Sequence, residues 1–148
     1  MSYSQVEILL VEDSPTDLEL TKRALRRVNL INRLHVVMDG AEALDFLFGK
    51  GMYAGRDVSS GPRVVFLDLK LPKVDGLEVL EQVKRNPRTS GIPVVVLTSS
   101  AEERDLVESY RLGVNSYIVK PVDFEGFARA VADAGLYWAV LNRVPAAG

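Results

Sequence analysis

Hydrophobic residues along this chain gather into short runs separated by longer stretches with helical spacing. Runs at 6–11, 33–37, 64–68, 94–97 and 116–119 have the length of strands. Four of them are rich in Val, Ile and Leu nearly throughout, as strands covered on both faces require. The run Leu34-His35-Val36-Val37 is more mixed and is expected to be an edge strand. After Ser14-Pro15, a capping hydroxyl followed by a first-turn proline, Leu18, Leu20, Ala24, Leu25 and Val28 carry the apolar positions of a first helix. A helix beginning at Gly76 is expected to stop before Asn86-Pro87. Ser100 is expected to cap a helix over 101–112 that Gly113 closes, and Asp123 to cap the last one. Residues 49–62, rich in Gly and Ser, read as a long loop before the third strand. The alternation predicts a doubly wound α/β fold with a parallel sheet and right-handed crossovers. Periodicity alone leaves the strand order open.

Composition narrows this further. A chain of 148 residues with 47% hydrophobic and 26% charged positions fits one domain. The expectation is a single unit over 1–148, with a core over about 6–135, a helical extension over about 136–148 and no output domain. With 18 Lys and Arg against 20 Asp and Glu, the charge of -2 offers no footprint for nucleic acid or an anionic membrane, and neither is expected as a partner. There is no cysteine, hence no disulfide frame, thiolate nucleophile or cysteine-bound metal. The start, Met-Ser-Tyr-Ser-Gln, lacks the basic and apolar regions of a signal peptide, and no apolar run reaches spanning length, so the chain is expected to be soluble and cytoplasmic.

In open α/β sheets ligands sit outside the carboxyl ends of the strands, so the residues that close each run carry the chemistry. These are Glu12-Asp13, Asp68, Thr98-Ser99-Ser100 and Lys120-Pro121. Three carboxylates converging on one rim repel one another unless a cation neutralises them or some take up protons. Oxygen donors without His or Cys favour Mg²⁺, which keeps several waters for a phosphoryl group. Phosphoryl transfer would use the whole set: Asp68 as nucleophile, Lys120 and the metal against phosphoryl charge, and the Thr98 hydroxyl as donor. Taken singly, Glu12 or Asp13 could cap a helix, Thr98 could do the same and Lys120 could pair with a surface carboxylate. Asp68 directly follows four apolar residues and would be poorly solvated without partners.

Taken together, Ile8-Leu9-Leu10-Val11-Glu12-Asp13, Val65-Phe66-Leu67-Asp68-Leu69-Lys70-Leu71-Pro72, Asp75-Gly76, Val96-Leu97-Thr98-Ser99 and Tyr117-Ile118-Val119-Lys120-Pro121 resemble the receiver domain of two-component response regulators. The resemblance implies a flavodoxin-like (βα)5 fold with strand order 2-1-3-4-5. It implies Asp68 as phosphoacceptor, and Asp13 and Glu12 as the acidic pair serving Mg²⁺, with the Lys70 backbone carbonyl as a further ligand. It also implies Thr98 and Tyr117 as hydroxyl and aromatic switch residues, Lys120 as the cation, and a cis peptide before Pro121. The donor would be a phosphohistidine on a sensor histidine kinase. The chain itself would be a signalling protein, not an enzyme, that takes part in its own phosphorylation and slow dephosphorylation. His35, the single histidine, reads as a packing or solvent-facing residue.

The last helix has an inward stripe of Phe124, Phe127, Val131, Ala134, Trp138 and Leu141, with Tyr137, Val140 and Val144 forming a second apolar face. A helix outside a sheet needs one such face, so Tyr137, Trp138, Val140, Leu141 and Val144 are expected to build a homodimer interface. The 49–62 loop and the ending Leu136-Tyr137-Trp138 with Val144-Pro145 also resemble the single-domain regulators that partner cyanobacterial and bacterial phytochromes. The downstream partner is unknown. Two other classes compete. Haloacid-dehalogenase phosphatases resemble Asp-x-Asp-x-Thr at the first strand, whereas Asp68-Leu69-Lys70-Leu71-Pro72 follows the third and lacks the second acid. A phosphorylation-independent, receiver-like interaction module would usually have lost Asp68, Thr98 or Lys120.

Overall fold

Each apolar run becomes a strand of one parallel sheet in a computed structural model that describes residues 7–143, apart from the Ser60 side chain. The strands are β1 (Ile8–Val11), β2 (Leu34–Val37), β3 (Val64–Leu67), β4 (Val94–Thr98) and β5 (Ser116–Val119). They alternate with α1 (Pro15–Arg27), α2 (Gly40–Phe48), α3 (Gly76–Arg85), α4 (Glu103–Arg111) and α5 (Phe124–Gly135). The sheet order is β2-β1-β3-β4-β5, the flavodoxin-like arrangement. β1, β3 and β4 are buried along their whole length and β2 is an edge as expected, whereas β5, expected to be covered on both faces, is the second, partly exposed edge because it ends the strand order.

Period-2 alternation divides the core into two layers. Leu9, Val11, Val65, Leu67 and Val96 pack with Phe46, Val79, Leu80 and Val83 from α2 and α3. Ile8, Leu10, Phe66, Val95 and Leu97 pack with Ala24, Leu25, Phe127 and Val131 from α1 and α5. Both faces are covered, which is why these strands read as continuous apolar runs.

The helix starts follow the expected chemistry with one exception. The side chains of Ser14, Asp39, Asp75 and Asp123 accept backbone N–H groups of Asp17, Glu42, Glu78 and Gly126 at 3.3, 2.7, 3.0 and 2.7 Å. Ser100 does not cap α4, which begins at Glu103 behind Glu102. Its hydroxyl instead donates to Asp105 Oδ2 at 2.6 Å and accepts from Glu102 N at 3.4 Å.

The 49–62 loop is tied down. It contains short 3₁₀ turns at Gly51–Tyr53 and Val58–Ser60, and Tyr53 is only 3% exposed. The Tyr53 hydroxyl donates to Glu42 Oε2 at 2.7 Å and lies 3.0 Å from His35 Nε2. The His35 ring stacks on Phe46 at 4.6 Å, and the Arg56 guanidinium lies 3.9 Å from the centroid of the same Phe46 ring while donating to the Phe46 carbonyl at 2.9 Å.

Two expectations are corrected here. Among the described residues no peptide bond is cis, so the Lys120–Pro121 bond is trans. Trans is the lower-energy isomer of an X-Pro bond, and in it Lys120 N still extends the sheet ladder by donating to the Thr98 carbonyl at 2.8 Å. The inward stripe of α5 also fails at its end. Phe127, Val131 and Ala134 are buried as expected, but Leu141 is 69% exposed and Ala139 is buried instead. The helix continues as a π turn at Leu136–Leu141, whose wider winding shifts the inward phase. Arg63 Nη2 ties this turn down by donating to the Asn142 carbonyl at 2.6 Å. Val6 and Val144 lie outside the described residues.

The fold leaves no room for a side chain at Gly76, where a Cβ would stand 2.4 Å from the Asp68 carbonyl oxygen and 2.5 Å from Leu69 Cα. Gly76→Ala is expected to lower the unfolding free energy by about 2 kcal/mol, read from the urea midpoint.

Candidate functional site

The parallel register decides where the strand-end residues meet. Val11 pairs with Leu67, so Glu12 and Asp68 leave adjacent strands side by side. The ladder runs one step beyond the strands: Glu12 N donates to the Val37 carbonyl and Asp68 N to the Val11 carbonyl, both at 3.1 Å. These bonds hold the first atoms of each side chain, and rigid strand ends fix position better than a loop would.

Lys120 reaches into this rim from the end of β5. Its ammonium donates to Glu12 Oε1 at 2.8 Å, Asp17 Oδ2 at 2.7 Å and Asp68 Oδ2 at 3.2 Å. The other oxygen of Asp68 accepts the Lys70 N–H at 3.2 Å, and Glu12 Oε2 accepts the Ser14 N–H at 3.2 Å. Glu12, Asp13 and Asp68 each bring an oxygen to a cluster in which all lie within 4.8 Å of one another. Glu12 and Asp68 are buried and Asp13 is the more open of the three. Such an all-oxygen set, with one side toward solvent, fits a hard divalent cation that retains water.

Glu12, Asp13, Asp68 and Lys120 are thus brought together as expected, and Lys70 meets Asp68 through its N–H. Thr98 is fully buried, and its hydroxyl oxygen accepts the Ser100 N–H at 3.2 Å. Tyr117 stands one step further out, its hydroxyl donating to the Ser100 carbonyl at 2.9 Å. Burial raises the Tyr117 phenol above its ordinary value. Tyr137 and Trp138 share with Tyr117 a groove of about 580 Å³ on the outer side of β5, whose lining includes none of Glu12, Asp13 and Asp68. Tyr137, Val140 and Leu141 are exposed.

Sequence reasoning missed Asp17 as a partner of Lys120. In the first turn of a helix an acidic residue is favourable for its own sake, so it gave no separate signal. The clue was its place one turn past Ser14-Pro15, just beyond the acidic end of β1. Ser100, expected both among the residues that close β4 and as a helix cap, touches both Thr98 and Tyr117.

A family model described as response regulator receiver domain matches residues 8–132. A probable methanogenesis regulatory protein, FilR2 of Methanothrix harundinacea, is 47% identical over 139 residues, covering 93% of this chain and 86% of the relative. Response regulator Rcp1 of Synechocystis sp. is 40% identical over 140 residues, 95% of this chain and 93% of its own. The crystal structure of its Mn²⁺-bound form superposes with a TM-score of 0.85 at 39% identity, covering 94% of this chain and 98% of that one. The bacteriophytochrome response regulator RtBRR superposes with a TM-score of 0.75 at 57% identity, covering 94% of this chain and 83% of that one.

Burial raises the Glu12 carboxyl from its ordinary 4.5 to about 7, with Asp68 adding to the rise and the Lys120 ammonium opposing it. Burial alone would lower Lys120, but hydrogen bonds to Asp17 and Glu12 carry it above its ordinary value and keep it charged. The folded chain therefore binds the Glu12 proton more tightly than the unfolded chain. The stability linked to that proton is full below pH 4.5 and is lost as the pH rises through about 7. In chelator-containing buffer, Glu12→Gln is expected to match wild type in denaturant midpoint at low pH and to exceed it at pH 8. A constant difference between the two across that window would contradict the assignment.

Proposed function

The chain belongs to the response regulator receiver domain family, and from that premise we propose that it takes a phosphoryl group onto Asp68 from the phosphohistidine of a sensor histidine kinase. The observation that carries this reading is the Lys120 ammonium bound at once to Glu12, Asp17 and Asp68, beside an oxygen cluster open to solvent. A buried rim so crowded with anions is costly as pure scaffolding and useful for handling phosphoryl charge.

In the transfer, an Asp68 carboxylate oxygen bonds to phosphorus as the phosphorus–nitrogen bond of the donor breaks, and the imidazole leaves. Lys120 stays near Asp68 Oδ2 and pairs with a phosphoryl oxygen. The Lys70 N–H holds the other Asp68 oxygen and so orients the carboxylate. Thr98 turns its hydroxyl to a phosphoryl oxygen, and Tyr117 adjusts with the β4–α4 loop. Mg²⁺ bound by Glu12, Asp13, Asp68 and the Lys70 backbone carbonyl would neutralise further phosphoryl charge. The Mn²⁺ in the Rcp1 structure supports a divalent ion in this role.

The donor is of the phytochrome type, a light-sensing histidine kinase; likeness to Rcp1 and to a bacteriophytochrome response regulator supports this. The chain works as one receiver unit whose output is its own surface. Tyr137, Val140 and Leu141, exposed beside Trp138, form the core of a homodimer contact. The setting is the cytoplasm, in keeping with the finding that no helix among the described residues is long and apolar enough to cross a membrane.

Wild type is expected to take label from acetyl phosphate only with Mg²⁺, in a bond that hydroxylamine cleaves, and Asp68→Asn to take none. Label that persists on Asp68→Asn would sink the phosphoacceptor, and failure of wild type to label would favour a phosphorylation-independent module. Light scattering at micromolar concentration is expected to give twice the chain mass, falling to the single-chain mass for Tyr137→Ser with Leu141→Ser. A wild type that scatters as one chain would remove the dimer.

A further inference from the structure

Ser100 spends every polar group it has on a different element. Its N–H donates to Thr98 Oγ1 at 3.2 Å, its hydroxyl donates to Asp105 Oδ2 at 2.6 Å, and its carbonyl accepts the Tyr117 hydroxyl at 2.9 Å. The same hydroxyl oxygen accepts Glu102 N at 3.4 Å. Ser100 is buried, at 7% exposure, although it sits in a loop. These contacts join the end of β4, the first turn of α4 and the outer edge strand β5 through one residue.

We propose that the Ser100 hydroxyl and the Asp105 carboxylate form a latch that fixes the β4–α4 loop, so that a change at Thr98 is delivered to Tyr117 and α4 together. The inference rests on the phosphoacceptor reading above. Ser100 and Asp105 are positioning residues, since neither is a partner of Asp68 or Lys120.

The physical logic is one of shared hydrogen bonds. The Thr98 oxygen now accepts the Ser100 N–H; when its side chain turns to serve a phosphoryl oxygen, that N–H loses its acceptor or follows the hydroxyl. With the latch closed, the loop cannot absorb the change by bending locally, because the Ser100 side chain is held to α4. The displacement must then appear where the Ser100 carbonyl meets Tyr117. Without the latch, residues 99–102 take up the motion and the tyrosine loses a fixed acceptor. Asp105 suits this role because a carboxylate on a hydroxyl makes a strong, charge-assisted bond, and because it belongs to the first turn of α4.

The protein carries its own reporter. Trp138, its single tryptophan, lines the same groove as Tyr117. Full-length wild type, Ser100→Ala, Asp105→Ala and Asp105→Asn would each be titrated with beryllofluoride and Mg²⁺ while Trp138 emission is followed. Asp68 labelling by acetyl phosphate would be measured in parallel. Wild type and Asp105→Asn, whose amide oxygen still accepts the Ser100 hydroxyl, are expected to give the full emission change. Ser100→Ala and Asp105→Ala are expected to lose at least half of it while labelling at the wild-type rate. If the alanine variants label normally and keep the full emission change, or if wild type labels with a silent Trp138, the latch is overturned and the phosphoacceptor stands. If wild type takes no label, the phosphoacceptor reading falls and the latch with it.

Discussion

One ammonium group holds together a rim that would otherwise push itself apart. Glu12, Asp17 and Asp68 all accept from Lys120, and Asp13 stands beside them. Like charges at such spacing are tolerated when a cation stands among them or one of them takes up a proton. The sheet can be seen as the device that meets this constraint. Its parallel register sets Glu12 beside Asp68, α1 brings Asp17 in from one face, and β5 delivers Lys120 from the edge. Gly76 lets α3 press against the backbone of Asp68 and Leu69, so Asp68 is braced from below as well as from its flanks. Burial still lifts the Glu12 carboxyl to about 7, with Asp68 adding to the rise, so one ammonium does not fully offset the cost of ionising it there.

Much of this was legible in the chain because it depends on short-range rules. Strands buried on both faces must be apolar at every position, which made β1, β3 and β4 plain and set β2 apart through His35. The Ser14 and Asp123 caps located the starts of α1 and α5, and Gly76 that of α3. The rim residues could be named because a polar residue at the end of an apolar run has few structural reasons to be there. The strand order was not in the periodicity and came only with the resemblance to receiver domains.

What stayed hidden depends on contacts between residues distant in the chain or on choices among near-equal local states. Asp17 looked like an ordinary first-turn acid until Lys120 arrived from 103 positions away. Ser100 had every property of a helix cap, and only the competing carboxylate of Asp105 shows why α4 starts later. The 49–62 loop had the composition of a flexible connection, yet Tyr53 and Arg56 pack it onto Phe46 and His35. The Lys120–Pro121 bond follows the ordinary preference of proline peptides instead of the isomer the resemblance suggested.

The π turn at Leu136–Leu141 acts through angles. In an α-helix each residue turns the chain by about 100°. A π turn takes more residues to come round, so it works as a spare residue wound into the helix, and it sets the azimuth of everything after it. The direction in which Val140 and Leu141 face is therefore written in a residue count as much as in side-chain identity. Removing one residue from this stretch would turn the apolar end of the chain away from its present bearing without altering a single hydrophobic group. A lineage of such proteins could re-aim its outer surface by insertion or deletion alone, leaving the acidic rim untouched at the other end of the strands.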